Sequence, residues 1–213
     1  MSGLPRIGLA VSGGGFRATA FGLGCLRALR DLDLLQSVRV VSGISGGSLL
    51  AAMWAYGPSD FTEFDASVAS MLGTNLQCEL ARRTFTPAAI TRNLTSLAVS
   101  ATTGRPRRHN RTDSLVAALS AREFGQRTMS EVTHPGLATV ISATDMASGN
   151  AVRFGSAASS CSAYGEITNP VTVAEAVAAS AAFPVLLPAL CRDFQFRDSA
   201  GALTTRTVTM TDG

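Results

Sequence analysis

One serine of this chain lies between a short apolar run and a helix-forming stretch, with glycines on both sides. The apolar run is 39–41, the serine is Ser45 in Gly-Ile-Ser-Gly-Gly, and the helix-forming stretch is 49–54. Glycines at such a turn permit the strained backbone of a nucleophile elbow, which raises the hydroxyl above the sheet at a helix N-terminus. The pattern predicts that Ser45 is a nucleophile.

A serine hydroxyl reacts poorly by itself and needs hydrogen-bond donors for the oxyanion that its attack generates. A second glycine turn, at 12–15, follows the apolar strand pattern 7–11 and precedes a helical pattern at 16–30. Backbone N–H groups at a helix N-terminus favour negative charge, and glycines let an acyl oxygen approach them. The predicted oxyanion hole consists of Gly13, Gly14 and Gly15, with Arg17 as electrostatic support.

Two other interpretations of this glycine turn compete with the oxyanion hole. The first is a tight turn that only allows close packing of helix and strand. The second is a dinucleotide site, which also requires an acidic residue at the end of the second strand. That strand end carries 42–48, a segment without an acidic residue, so the nucleotide interpretation is disfavoured.

The chain has only two histidines that could serve as the base, His109 and His134. The order Ser45, Asp113, His134 is that of an α/β-hydrolase triad, but several strands precede the elbow in that fold and only one precedes it here. Both histidines are predicted to be exposed loop residues. Asp212 instead follows a β-branched strand, and a partly desolvated carboxylate can act as the base.

Composition limits the classes of protein to which this chain can belong. Its 213 residues are 46% hydrophobic, 15% charged and carry a net charge of +3, which predicts one globular domain and no nucleic-acid partner. Cys25, Cys78, Cys161 and Cys191 lack C-x-x-C spacing, so we expect no structural zinc and free thiols in a reducing compartment. The N-terminus resembles no signal peptide, and the apolar stretch 171–190 contains Glu175 and two prolines, which disfavours a membrane span.

The two glycine turns each follow a strand and precede a helix, which predicts an α/β fold with a mainly parallel central sheet covered by helices. Both turns would then lie at the same edge of the sheet. Irregular helical patterning from 58 to 132 predicts a helical insertion. The remaining predicted elements are a strand pair at 138–143 and 151–154, a helix at 173–182, and strands at 194–196 and 206–210 on either side of Gly201.

Five motifs, in this order, resemble the patatin-like phospholipase family. They are Ser12–Arg17, Gly43–Gly47, Ala143–Phe154, Ala176–Pro184 and Asp212–Gly213. The family is similar to cytosolic phospholipase A2 in fold and catalytic dyad, and it hydrolyses acyl esters of lipids without a metal or cofactor. The resemblance implies that Ser45 is the nucleophile and Asp212 the base of an acyl-enzyme mechanism, with Gly13, Gly14, Gly15 and Arg17 at the oxyanion. It implies a phospholipid or other acyl-lipid substrate.

Several further expectations accompany this resemblance. The same dyad would serve a lipid acyltransferase, and the fold would also serve a non-catalytic lipid- or partner-binding module. Family members continue beyond the aspartate motif, whereas this chain stops at Gly213, so we expect a truncated domain or a companion chain that carries the carboxyl-terminal remainder. The arginine-rich run at 105–111 is either a solvated loop or a transient contact with a membrane surface. The expected location is cytoplasmic or peripheral at membranes.

Overall fold

The computed structural model of the protein describes residues 6–73, 110–183 and 187–213. Its described strands form one sheet in which each strand pairs with the next along the chain. They are β1 (Ile7–Val11), β2 (Val38–Gly43), β3 (Ala138–Asp145), β4 (Ala151–Gly155), β5 (Ser159–Cys161), β6 (Gly165–Ile167), β7 (Leu190–Arg197) and β8 (Leu203–Asp212).

The first three strands are parallel, and they form the part of the sheet that the two predicted strand–helix units build. Val11 of β1 lies opposite Gly43 of β2, and Gly43 lies opposite Ile141 of β3. The carboxyl ends of β1 and β2 are therefore adjacent, which brings the two glycine turns to one edge of the sheet as the sequence predicts.

From β3 onward every pairing is antiparallel, and β8 returns to pair with β3. Strands β3 to β8 therefore form a closed antiparallel ring of six strands, which contradicts the prediction of a mainly parallel central sheet covered by helices. The physical reason, for each consecutive pair except β6–β7, is the length of the connection. Parallel neighbours need a crossover of a dozen or more residues, whereas a short turn such as 146–150 can join only antiparallel strands.

Five described α-helices accompany this sheet: α1 (Gly15–Asp31), α2 (Gly46–Tyr56), α3 (Phe61–Gly73), α4 (Arg111–Leu119) and α5 (Val173–Ser180). Helix α2 contacts β2 and β3, and all of its residues from Gly47 to Tyr56 are buried. Helix α5 contacts β3 and β8, the two strands whose pairing closes the ring. Among the residues that the structure describes, no helix is both long enough and apolar enough to cross a bilayer.

Most of the predicted elements are present with small changes of boundary. The strands predicted at 7–11 and 138–143, the hairpin partner at 151–154 and the helix at 173–182 are confirmed, and β7 and β8 are longer than predicted. Helices α3 and α4 lie within the predicted insertion, but its centre, 74–109, falls outside the described residues, as do Cys78, His109 and most of the arginine-rich run. Cys25 and Cys161 carry free thiols, as predicted.

Candidate active site

Ser45 lies at the sharp turn between β2 and α2, in a backbone conformation that non-glycine residues rarely adopt. Its φ of 54° and ψ of −122° make it one of two described non-glycine residues with positive φ. The neighbouring glycines are required by close backbone contacts. A Cβ on Gly43 would lie 2.5 Å from the Gly47 carbonyl oxygen, and a Cβ on Gly47 would lie 2.3 Å from that of Val11. The strand–turn–helix geometry of a nucleophile elbow is therefore present.

The first glycine turn packs directly against this elbow. A Cβ added to Gly13 would lie 3.3 Å from the Cβ of Ser45, and one added to Gly46 would lie 2.1 Å from the Gly15 carbonyl oxygen. The buried Thr19 hydroxyl donates to the carbonyl of Gly46 at 2.8 Å, and its Oγ1 lies 3.3 Å from the carbonyl oxygen of Gly15. Helices α1 and α2 therefore begin side by side at the serine.

This arrangement places two helix N-termini, with their positive dipole ends, next to the Ser45 hydroxyl. Gly14 and Gly15 have φ of 137° and 60°, so each adopts a conformation that favours glycine. Arg17 is exposed in the first turn of α1. The surroundings of Ser45 favour a negative charge that develops on an oxygen atom bound next to it.

Asp212 ends β8, where it lies opposite Ala143 of β3. Its Oδ1 accepts a hydrogen bond from the Gly213 N–H at 3.0 Å. Partial burial raises the pKa of Asp212, and this effect outweighs the interactions with the Ser45 side chain and the Gly213 N–H, which lower it. Asp212 thus lies near the predicted serine, and burial increases the affinity of its carboxylate for a proton.

The C-terminal end of α5 supports both of these residues, a feature that the sequence analysis missed. The buried hydroxyl oxygen of Ser180 accepts a hydrogen bond from the Ser45 backbone N–H at 2.9 Å. The carbonyl of Ala182 accepts from the Asp212 N–H at 3.2 Å and from the Thr211 hydroxyl at 2.9 Å. The available signal was a single serine inside the alanine-rich run 176–182, where a polar side chain needs a partner.

The first turn of α5 is held by charged and polar side chains. Thr172 and Glu175 form a reciprocal capping box at its N-terminus. Arg192 of β7 binds Glu175 at 3.0 Å and Asp113 at 3.0 Å, and Asp113 accepts the Asn110 N–H in the capping box of α4. One guanidinium therefore connects the caps of two helices.

Comparison with known protein families identifies the family to which a chain with this site belongs. The family model described as patatin-like phospholipase matches residues 9–213, which is nearly the whole chain. The chain belongs to the patatin-like phospholipase family. The matched residues include the elbow, the glycine turn, α5 and Asp212, so the whole candidate site lies within the family's domain.

Curated relatives are similar to a shorter part of this patatin-like chain. A lysophospholipase of Penicillium chrysogenum is 45% identical over 60 residues, and the match covers 23% of this chain and 10% of that protein. A probable lysophospholipase 2 of Schizosaccharomyces pombe is 45% identical over 58 residues, with 24% of this chain and 9% of that protein covered. The chain thus matches about a tenth of the length of these relatives.

A solved structure has the same fold. Human GIVD cytosolic phospholipase A2 superimposes with a TM-score of 0.53 at 17% identity, and the match covers 84% of this chain and 28% of that one. The patatin-like arrangement of strands and helices is thus shared with a protein of very different sequence.

The histidines do not form the alternative triad in the part of the molecule that the structure describes. His134 packs against Trp54 near the C-terminal end of α2, with ring centroids 6.1 Å apart, whereas Ser45 lies at the other end of that helix, roughly 15 Å away by its rise per residue. Burial lowers the pKa of His134. The prediction of an exposed loop residue is wrong for His134, because its imidazole is partly buried and its Nε2 is enclosed.

No group of three or more His, Cys, Asp or Glu side chains that could hold a metal ion occurs within the described ranges. The candidate site in these ranges consists of a hydroxyl, a carboxylate and backbone amides. Those groups are suited to acyl transfer.

Proposed function

We propose that this protein is a lipid acyl hydrolase in which Ser45 is the nucleophile and Asp212 the base. The observation that carries the proposal is the strained turn at Ser45, whose side chain interacts with a partly buried Asp212 carboxylate with a raised pKa. Membership of the patatin-like phospholipase family supports an ester-cleaving role for this pair. A base works best when its pKa approaches the working pH, and partial burial shifts Asp212 in that direction.

In the first half of the proposed reaction, the Ser45 Oγ attacks the carbonyl carbon of the ester while Asp212 accepts the hydroxyl proton. The negative charge on the carbonyl oxygen faces the N–H groups of Gly13, Gly14 and Gly15 and the N-termini of α1 and α2, with Arg17 nearby. The bond to the alcohol then breaks, and the alcohol leaves with the proton from Asp212. An acyl group remains on Ser45.

In the second half, water attacks the acyl carbon and gives its proton to Asp212. The bond to Ser45 Oγ breaks, Ser45 recovers the proton, and a fatty acid is released. Each proton taken up by Asp212 is returned, so the enzyme ends the cycle in its starting state. The step is an ester hydrolysis with one acyl-enzyme intermediate.

The substrate class that we propose is an acyl ester of a phospholipid or lysophospholipid. The support is the family match together with the lysophospholipase names of the curated relatives. A cytoplasmic or membrane-peripheral location and a companion chain stay predictions from the sequence.

Release of fatty acid from lysophospholipid and phospholipid vesicles by the purified protein, together with any polypeptide that copurifies with it, tests the proposal directly. Replacing Ser45 with Ala is expected to reduce the rate by about 10⁴-fold or more, because the nucleophile is removed. A fluorophosphonate probe is expected to label Ser45 in the wild-type chain. Ser199→Ala provides the matched control, since Ser199 is exposed in the turn between β7 and β8.

The same experiment separates the alternatives. A Ser45→Ala protein that hydrolyses at the wild-type rate would contradict the nucleophile assignment. If the protein, together with any copurifying polypeptide, binds vesicles equally well with and without Ser45 but releases no fatty acid, it is a binding module. Transfer of the acyl group to added glycerol in preference to water would identify an acyltransferase.

A further inference from the structure

Ser180 accepts a hydrogen bond at the point of the elbow where the backbone is most strained. Its Oγ lies 2.9 Å from the N–H of Ser45, across 135 positions of sequence, and its side chain is fully buried. This N–H belongs to the residue of the elbow with the positive φ, and its hydrogen-bond partner lies on α5. The bond therefore links the conformation of the nucleophile to the end of a different helix.

The base is attached to the same place by independent bonds. Two residues after Ser180, the carbonyl of Ala182 accepts the backbone N–H of Asp212 and the hydroxyl of Thr211. The end of α5 thus contacts Ser45 on one side and the strand that carries Asp212 on the other. Every residue of α5 except Glu175 is buried, and its first turn is held by the cap and by Arg192, so one packed helix supports both residues.

We propose that Ser180 is a positioning residue, which holds the backbone of Ser45 so that its hydroxyl remains aimed at Asp212. This inference rests on the proposed function. Ser180 takes no part in the chemistry and acts only through the Ser45 N–H. Its loss leaves that N–H without its partner and lets the elbow relax, whereas Asp212 keeps its own bonds to Ala182.

The test compares Ser180→Ala with Ser156→Ala. Ser156 is the matched control because its Oγ also accepts a backbone N–H, that of Thr139 at 3.0 Å, at the start of β3. Ser180→Ala is expected to lower kcat by about 10- to 100-fold with KM nearly unchanged, since misplacement of a reacting group mainly slows the chemical step. Ser156→Ala is expected to leave kcat at the wild-type value. Ser180→Thr, which keeps the hydroxyl, is expected to restore most of the rate.

Two readouts separate positioning from a merely structural role. Amide hydrogen exchange at Ser45 is expected to become about tenfold faster or more in Ser180→Ala, and the acid limb of the pH profile is expected to stay in place because the surroundings of Asp212 are retained. If Ser180→Ala does not fold, Ser180→Cys, with a weak sulfur acceptor of similar size, is measured in its place.

A folded Ser180→Ala protein with wild-type kcat would overturn the inference while leaving the proposed function intact. Equal losses of kcat in Ser180→Ala and Ser156→Ala would also overturn it, since a general loss of stability would then explain both. A wild-type chain in which Ser45 is neither labelled nor required for hydrolysis would overturn the inference and the proposed function together.

Discussion

The parallel part of the sheet, β1 to β3, and the closed antiparallel ring, β3 to β8, supply different components of the candidate site. The parallel part supplies Ser45 and the glycine turn, which lie within a few residues of the strands and helices that position them. The ring supplies Asp212, which meets Ser45 only because β8 returns to β3. The proposed nucleophile therefore lies on a local strand–turn–helix element with one long-range bond to Ser180, whereas the proposed base is placed by the pairing of strands that are far apart in the chain.

Replacing Asp212 with Asn tests the contribution of the ring and has the largest expected effect of the changes considered below. The amide keeps the shape but cannot accept the Ser45 proton, so kcat is expected to fall by about 10³-fold. Rates of fatty-acid release measure this. Asp193→Asn is the control, because Asp193 is an exposed acid on the same hairpin. A loss of less than tenfold would mean that another group is the base.

Gly46→Ala tests the parallel part. Its new Cβ would overlap the Gly15 carbonyl oxygen, so the two helix N-termini must separate, with an expected loss of about 1–3 kcal/mol in stability and about 10²-fold in kcat. Gly24→Ala is the matched control on the exposed side of α1. A Cβ there meets no atom within 4 Å, and a gain of about 1 kcal/mol is expected. Urea unfolding and steady-state kinetics measure both; equal behaviour of the two variants would contradict the close contact.

The acid limb of kcat/KM reports the state of Asp212. Because burial raises the pKa of Asp212 above the ordinary 3.8, activity is expected to fall about tenfold per pH unit below a midpoint higher than 3.8. The free energy of unfolding changes with pH in the opposite direction to activity. The folded state binds the Asp212 proton more tightly than the unfolded state, so Asp212 contributes stability below pH 3.8, and this contribution is lost as the pH rises through the raised pKa. A midpoint at or below 3.8 would contradict the effect of burial.

The smallest effect is expected at the connection between the two helix caps. Arg192→Gln removes the ion pairs to Glu175 and Asp113, whose side chains are each about one quarter exposed, and is expected to cost about 1 kcal/mol in free energy of unfolding. Arg197→Gln, on the same strand, breaks a pair with Glu166 that is half exposed and is expected to cost less. If urea unfolding gave the same loss of free energy for both variants, the connection between the two helix caps would add nothing to stability.

The same contrast explains what could be predicted from the sequence. The strand at 7–11, both glycine turns and the hairpin at 138–154 follow from neighbouring residues, and their prediction is confirmed. The three-residue strands β5 and β6 lack a clear alternating pattern, and the closing pair β3–β8 joins segments far apart in the chain. Ser180 was missed because its importance comes from one contact with a residue in another element.

The return of β8 to β3 also has a consequence for folding. The helix α2 that follows Ser45 can form early, from contacts that are close in sequence, but the pairing of Ala143 with Asp212 must wait until the intervening hairpins are in order. Closing such a long loop is slow because the chain loses conformational entropy before the new contact contributes favourable free energy. Ester cleavage should therefore be among the last properties that a refolding molecule recovers, after helical signal and burial of Trp54 have returned.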